Sequence, residues 1–283
     1  MTVERVAVEE RPGSEPTAAR AETRGQSVQE VTALVRRWWI ELLRERLNLV
    51  FSLIQPAFWL VFFGAGVERA IDPEVIGTDD YISFMLAGII TFTIVGNGVS
   101  GAMPLLWDKE TGYLDRLMSM PIARSSVIVS RFVFQVVQQS AQILLVVIVA
   151  LALGVRLETG PPGLVVILLA AALLTMSVTA AFCALAYAVP QHGTFFAIVS
   201  FITLPLLFMS NAFVPLDAMP AWMEIVARLN PLTYAIEAIR TLVIEGWESS
   251  IASSLVVLTF TGAVCLALGT WQFRKQTGSR VRG

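Results

Sequence analysis

Few residues in this sequence have the types and the spacing that catalysis requires, and the lysines decide the most. A phosphate-binding loop that hydrolyses ATP needs a lysine that follows a glycine and precedes a serine or threonine. The two lysines here are followed by Glu110 and Gln276, and neither follows a glycine. The sequence therefore predicts that the chain has no catalytic residue for ATP hydrolysis and holds no cofactor of its own.

A lone histidine and two cysteines are the remaining candidates for nucleophilic or metal chemistry. His192 lies in the short turn 190–193 with no cysteine or carboxylate beside it in the sequence, which is typical of a turn residue rather than a metal ligand. Cys183 and Cys265 lie inside apolar runs, where free thiols pack as small apolar side chains. We therefore predict neither a metal site nor an enzymatic centre.

Amide side chains form the most unusual polar pattern within the apolar runs. Four glutamines fall on one helical face, with Arg131 one turn earlier: Gln135, Gln138, Gln139 and Gln142. Such a face must contact protein or water rather than lipid. Two interpretations remain open, the wall of a translocation path and helix-to-helix hydrogen bonds, which average under about 1 kcal/mol each. The candidate path residues are Asn97, Gln135, Gln138, Gln142, Phe201, Phe208 and Asn211; the last three lie in a Phe- and Met-rich stretch that suits either an apolar cargo or ordinary packing.

Long apolar runs must position these residues, and they determine the fold class. Charged residues make up only 15% of the chain, whereas a soluble domain has about 25%. A bilayer core of about 30 Å needs about 20 apolar residues per helix. The sequence predicts an all-α polytopic membrane protein with a transmembrane domain over 47–273 and six spans, at about 47–67, 82–103, 127–153, 164–189, 194–213 and 251–273. The net charge of -2 gives no indication of a nucleic-acid partner.

The chain before the first span divides into two predicted segments. Residues 1–25 are rich in Glu, Arg, Pro and Ala and predict a disordered cytoplasmic tail. Ser27 and Glu30 have the spacing of a capping box, after which apolar residues recur every three or four positions. Segment 26–46 is therefore predicted to be an amphipathic helix in the membrane interface; the alternative is that it is only the wet start of the first span.

Basic residues predict the orientation. They flank the first span, the loop after the second span and the end of the last one, at Arg36, Arg37, Arg44, Arg46, Lys109, Arg116, Arg124, Arg131, Arg274, Lys275, Arg280 and Arg282. The other side has only Arg69, Arg156, Arg228 and Arg240, among many carboxylates. Because cytoplasmic loops carry the excess of Lys and Arg, both termini, including the tail 274–283, are predicted to be cytoplasmic.

Two connecting segments differ from ordinary loops. The cytoplasmic segment 104–124 contains a charged island, Lys109–Pro121, between two apolar runs. Segment 217–245 contains two apolar pieces, each too short to cross a bilayer, separated by Asn230 and Pro231. Asn caps helices well and Pro starts them well, so the pair predicts a break with Asn230 as the cap of the second piece. Such short pieces predict re-entrant helices, with Glu237 and Arg240 spaced to pair on one helix face. The alternative is an external loop with surface helices.

The residues of these two segments resemble the ABC-2 type transporter permease family, in particular its daunorubicin/doxorubicin resistance group of bacterial drug exporters. The resemblance covers the chain from about residue 27 onwards. It is carried by the amphipathic helix predicted at 26–46, which we call the entry helix, and by the six spans. Two motifs add to it: Glu110-x-Gly112 with Arg116 and Pro121, and the run Asn230–Tyr234 with Glu237–Arg240, preceded by Phe213–Pro215.

The resemblance implies the partners and the roles of these segments. It implies two copies of a separate ATPase subunit, which hold ATP and Mg, and a second permease copy or paralogue in the bacterial plasma membrane. It implies an ATPase-coupling segment at Lys109, Glu110, Gly112, Leu114, Arg116 and Pro121, and a re-entrant extracellular gate at Asn230, Pro231, Tyr234, Glu237 and Arg240. The expected cargo is an apolar or amphipathic small molecule or lipid; a polysaccharide, teichoic-acid or glycolipid cargo on the same fold is the alternative.

Overall fold

The computed structural model describes residues 16–67, 81–112 and 124–280. Within these ranges the regular structure is helical, without a strand, which confirms the predicted all-α class. One short 3₁₀ turn, Leu216–Ala218, precedes α7. The nine α-helices of the described ranges are α1 Pro16–Arg44, α2 Arg46–Val67, α3 Tyr81–Glu110, α4 Arg124–Ala152, α5 Gly160–Ala188, α6 His192–Phe208, α7 Ala221–Leu229, α8 Pro231–Ile244 and α9 Ser249–Arg280.

Six of these helices correspond one to one with the predicted spans. Four of them contain segments that are long and apolar enough to cross a bilayer: Tyr81–Glu110, Val129–Ala152, Gly160–Ala188 and Ser249–Thr270. Two contain shorter apolar segments, Leu49–Phe62 in α2 and His192–Phe208 in α6. The chain is thus a polytopic helical membrane protein.

Helix α1 begins well before its predicted start. It is helical from Pro16, so the prediction of disorder is wrong for residues 16–25, and Ser27 lies inside the helix rather than at its cap. Proline is favoured in the first turn of a helix, and the following Ala, Arg and Glu residues are good helix formers. The rest of the predicted disordered tail, residues 1–15, lies outside the described residues.

The last two spans also end differently from the prediction. Helix α6 stops at Phe208 instead of residue 213, and residues 209–213 form turns. Helix α9 continues to Arg280, so most of the predicted tail 274–283 is helical. The continuation is reasonable because Arg, Lys and Gln keep helical geometry at little cost.

Helices α3 and α5 form the centre of the bundle. Helix α3 packs against α2, α4, α5, α6 and α8, and α5 packs against α3, α4, α8 and α9. The two backbones approach closely at Gly98, where an added Cβ would lie 2.5 Å from the Cγ1 of Val178. Small residues at such contacts are what allow membrane helices to pack. Phe84, Leu86 and Leu174 are completely or almost completely buried there.

The two short helices before the last span have different environments. Helix α7 exposes its apolar residues Trp222, Ile225 and Leu229. Helix α8 follows directly, with Pro231 as its first residue, and it packs against α3, α5 and α9. Its inner face, which includes Leu232, Ile236 and Ile239, is fully buried against the bundle. Its 14 residues are too few to cross a bilayer, as predicted for a re-entrant helix.

Candidate functional site

The last turn of α3 contacts the turn between α5 and α6. The Lys109 ammonium donates to the backbone carbonyls of Tyr187 at 2.9 Å and Val189 at 2.8 Å. The Glu110 carboxylate accepts from the backbone N–H of His192 at 3.0 Å and pairs with its Nδ1. We call this pair of adjacent residues the Lys109–Glu110 latch.

The latch satisfies two helix ends at once. The last carbonyls and the first N–H groups of a helix have no partner inside that helix. Lys109 supplies a cationic donor at the end of α5, and Glu110 supplies an anionic acceptor at the start of α6, where Gln191 gives no side-chain cap. Both charges also match the helix dipoles. His192 has no carboxylate beside it in the sequence, but the fold brings Glu110 to it from a distant part of the chain.

The predicted coupling residues fall partly outside the described chain. Lys109 and Glu110 are held by the latch, and Gly112 follows α3 with a φ of 71°. That left-handed conformation is the one in which glycine ends helices most readily, which explains a glycine two residues after Glu110. The other three predicted coupling residues, Leu114, Arg116 and Pro121, lie outside the described residues.

An amide cluster joins α2, α3 and α4 inside the bundle. The side-chain amide of Asn97 donates to Gln139 at 2.7 Å and to Gln142 at 2.5 Å. The side chain of Gln135 donates to the backbone carbonyl of Asn97 at 3.1 Å, and the side chain of Gln142 donates to the backbone carbonyl of Ser52. The three glutamines are almost completely buried. These contacts are the ones expected if the glutamines form hydrogen bonds between helices.

Arg131 attaches the entry helix to the bundle. Its Nε donates to the carbonyl of Gly101 on α3 at 2.8 Å, and Nη2 donates to the same oxygen. The guanidinium lies over the Trp38 ring of α1, 4.4 Å from the centroid, and Trp39 packs edge-on against Phe134. Gln138, the half-buried glutamine, lines a cavity beside this contact.

A second buried cation lies near the opposite end of α3. Arg240 of α8 donates from Nη2 to the carbonyl of Asn211 at 2.8 Å, and its guanidinium carbon lies 3.7 Å from the centroid of Phe84. We call these three residues the Arg240 cluster. The predicted pairing of Glu237 with Arg240 is wrong, because the guanidinium turns towards Asn211 and Phe84.

Asn230 connects α6 to α8. Its amide donates to the carbonyls of Leu206 at 2.6 Å and Met209 at 2.9 Å, and its oxygen accepts from the N–H of Leu232 at 3.0 Å. The last pair confirms the predicted cap. The first two explain why α6 ends at Phe208, since a side chain from beyond α7 satisfies its terminal carbonyls.

The remaining predicted site residues are not brought together. Tyr234 donates its hydroxyl to the carbonyl of Arg228 at 2.8 Å, within its own segment. Phe201 and Phe208 expose most of their surface on the outside of α6, so they do not share a wall with the amide cluster. Asn211 is buried in the turn after α6 and belongs to the Arg240 cluster.

Comparison with known proteins identifies the family of this chain. The model of the ABC-2 type transporter family matches residues 29–244, a range that includes the latch, the amide cluster and the Arg240 cluster. This chain belongs to the ABC-2 type transporter family. ABC-2 permeases are membrane transport subunits; the ATPase is a separate ABC subunit, and the permeases typically dimerise.

Several relatives of this ABC-2 permease carry names. A protein of Cyanophora paradoxa named putative transport permease ycf38 is 36% identical, covering 82% of this chain and 80% of that protein. The daunorubicin resistance ABC transporter permease protein DrrB1 of Streptomyces coeruleorubidus is 27% identical, covering 69% and 68%. The probable doxorubicin resistance ABC transporter permease protein DrrC of Mycobacterium tuberculosis is 24% identical, covering 90% and 88%.

Proposed function

We propose that this chain is the permease subunit of an ATP-driven exporter that moves an apolar or amphipathic compound, drug-like or lipid, outward across a bacterial plasma membrane. The names of the resistance permeases support this cargo class. The absence of a phosphate-binding lysine motif supports an external motor. In this proposal two ATPase subunits carry the nucleotide and Mg, a second permease copy or paralogue completes the path, and both termini face the cytoplasm.

The observation that supports a mechanism of coupling between the ATPase and the spans is the latch. The charged island 109–121 contains the proposed contact with the ATPase, and it begins at the two residues that hold the end of α5 and the start of α6. A displacement of this segment by the ATPase therefore moves α3 together with the α5–α6 connection. ATP binding to the motor then favours one arrangement of the spans over another, because a ligand shifts an equilibrium between states that it binds unequally.

The proposed function is tested with the chain and an ABC ATPase subunit reconstituted in vesicles. We expect ATP-dependent movement of a fluorescent apolar amine, and loss of both ATPase co-purification and transport in Arg116→Glu. Arg228→Glu, which changes an exposed arginine on α7, is the matched control and should keep both activities. Wild-type co-purification and transport in Arg116→Glu would refute the proposed coupling segment.

A further inference from the structure

A small polar cavity lies where the entry helix meets the bundle, and the transport mechanism above does not use it. Its volume is about 120 Å³. One wall is α1, a second is α3 at Ser100, Gly101 and Pro104, and a third is α4 at Arg131 and Gln138. The cavity is open to the outside of the protein.

The wall formed by α4 offers hydrogen-bond donors with positive charge. A guanidinium has five N–H donors, and two of those of Arg131 go to the carbonyl of Gly101. The other three have no acceptor among the described residues. Trp38 lines the same cavity, and its buried indole N–H also has no partner in the described chain. A phosphate group would fit this wall, because guanidinium groups bind phosphate oxygens strongly.

The wall formed by α1 carries the opposite charge. Glu41 lies on α1 and Glu45 is the residue between α1 and α2, and both line the cavity with exposed side chains. Two carboxylates at the rim oppose the entry of a purely anionic group, and Arg131 opposes a simple cation. The occupant that matches both walls therefore carries a phosphate and an ammonium group.

The depth of the cavity indicates where such an occupant comes from. Gly101 and Pro104 lie in the last third of α3, and Arg131 lies at the start of the third turn of α4. The third wall is the amphipathic helix that the sequence predicts to lie in the membrane interface. A cavity at the ends of the spans beside an interfacial helix is at the level of lipid headgroups rather than of acyl chains.

We propose that this cavity binds the headgroup of an aminophospholipid, with the phosphate at Arg131 and Gln138 and the ammonium group at Glu41 and Glu45. A choline headgroup fits less well because its quaternary ammonium has no N–H to donate to the carboxylates. A glycerol headgroup lacks the positive charge. Headgroup binding depends on membrane insertion but not on the proposed export of a cargo. The lipid site and the proposed function can therefore each fail without the other.

The test is native mass spectrometry of the purified full-length chain in detergent, titrated with three lipids of the same acyl chains. We expect phosphatidylethanolamine to bind about tenfold more tightly than phosphatidylcholine or phosphatidylglycerol, the factor that about 1.4 kcal/mol provides. The double variant Glu41→Gln with Glu45→Gln should lose the preference over phosphatidylcholine. Glu30→Gln, on the same helix but outside the cavity, is the matched control and should keep it.

Two further measurements complete the test. Gln138→Leu, a change at the half-buried wall, should weaken all three lipids while the preference for the ammonium group remains. Glycerophosphoethanolamine, the headgroup without acyl chains, should not displace the intact lipid at equal concentration. Equal affinity for the three lipids, an unchanged preference in the double glutamine variant, or equal competition by the free headgroup would overturn the proposal.

Discussion

The Lys109–Glu110 latch and the Arg240 cluster lie at opposite ends of α3, and each brings a cation to backbone carbonyls. At the latch, the ammonium has two carbonyl acceptors and the neighbouring carboxylate has an imidazole and a backbone N–H. In the Arg240 cluster, the guanidinium has one carbonyl and one aromatic face. Its Nε and the Oδ1 of Asn211 have no partner among the described residues.

This difference indicates which end is fixed and which end can change. A buried polar atom without a partner costs about 1–3 kcal/mol. A second arrangement of the Arg240 cluster that gives these atoms partners recovers that free energy, which offsets the contacts that the rearrangement breaks. The latch has one such atom among the described residues, the Nε2 of His192, but its charges already complete two helix ends, so it gains less by rearranging. We therefore expect the latch to transmit motion as a rigid contact and the Arg240 cluster to change its contacts during a transport cycle.

The largest expected effect on stability is at the latch. Lys109→Met removes the charged donor from two helix-terminal carbonyls, and hydrogen bonds to charged groups contribute about 1.5–3 kcal/mol each. We expect the free energy of unfolding in detergent to fall by about 2–3 kcal/mol, measured by denaturant titration. Lys275→Met, at the other lysine, is the control. Equal stability of the two variants would mean that the latch contributes nothing.

A smaller effect is expected at Asn230. Asn230→Ala removes the cap of α8, and an N-cap contributes about 0.5–2 kcal/mol; it also removes the donor to the end of α6. We expect a loss of about 1–2 kcal/mol in the same unfolding assay. Asn230→Asp keeps the cap oxygen but not the donor, so it should fall between wild type and Asn230→Ala. If the aspartate variant is as unstable as the alanine variant, the contacts to Leu206 and Met209 dominate instead.

The smallest effect is expected in the Arg240 cluster. Replacing a poorly satisfied buried charge by an apolar side chain of similar length is often neutral or stabilising. Arg240→Met should therefore change the free energy of unfolding by less than about 1 kcal/mol, although we expect slower transport. A loss of about 3 kcal/mol or more would show that Arg240 is as well satisfied as Lys109 and would remove the contrast between the two ends.

The sequence predicted the elements better than the contacts. The apolar runs are long, so the six spans, the short paired helices and the cap at Asn230 followed from length and residue type. The start of α1 was missed because a segment rich in Glu, Arg and Pro can be either a tail or a helix. The end of α6 was missed because it is fixed by Asn230, which lies two helices later in the chain.

The partners of the charged residues could not be predicted from local spacing. Glu237 and Arg240 have the spacing of a helix pair, but the tertiary structure places the Phe84 ring and a carbonyl nearer to the guanidinium. Lys109 and Glu110 were recognised as unusual, yet nothing near them in the sequence identifies Tyr187 or His192 as their partners. The sequence contained one indication of these contacts. A lysine and a glutamate adjoin the end of an apolar helix, where charged side chains need partners.

The role of the latch is tested by measuring ATP hydrolysis and transport together in vesicles that contain the chain and an ABC ATPase subunit. The variant is Lys109→Met with Glu110→Gln, which removes the latch charges, and Glu224→Gln on exposed α7 is the control. We predict that the latch variant still binds the ATPase and hydrolyses ATP while transport falls by at least about tenfold, equivalent to about 1.4 kcal/mol of lost coupling. Transport at the wild-type rate per ATP hydrolysed would contradict it.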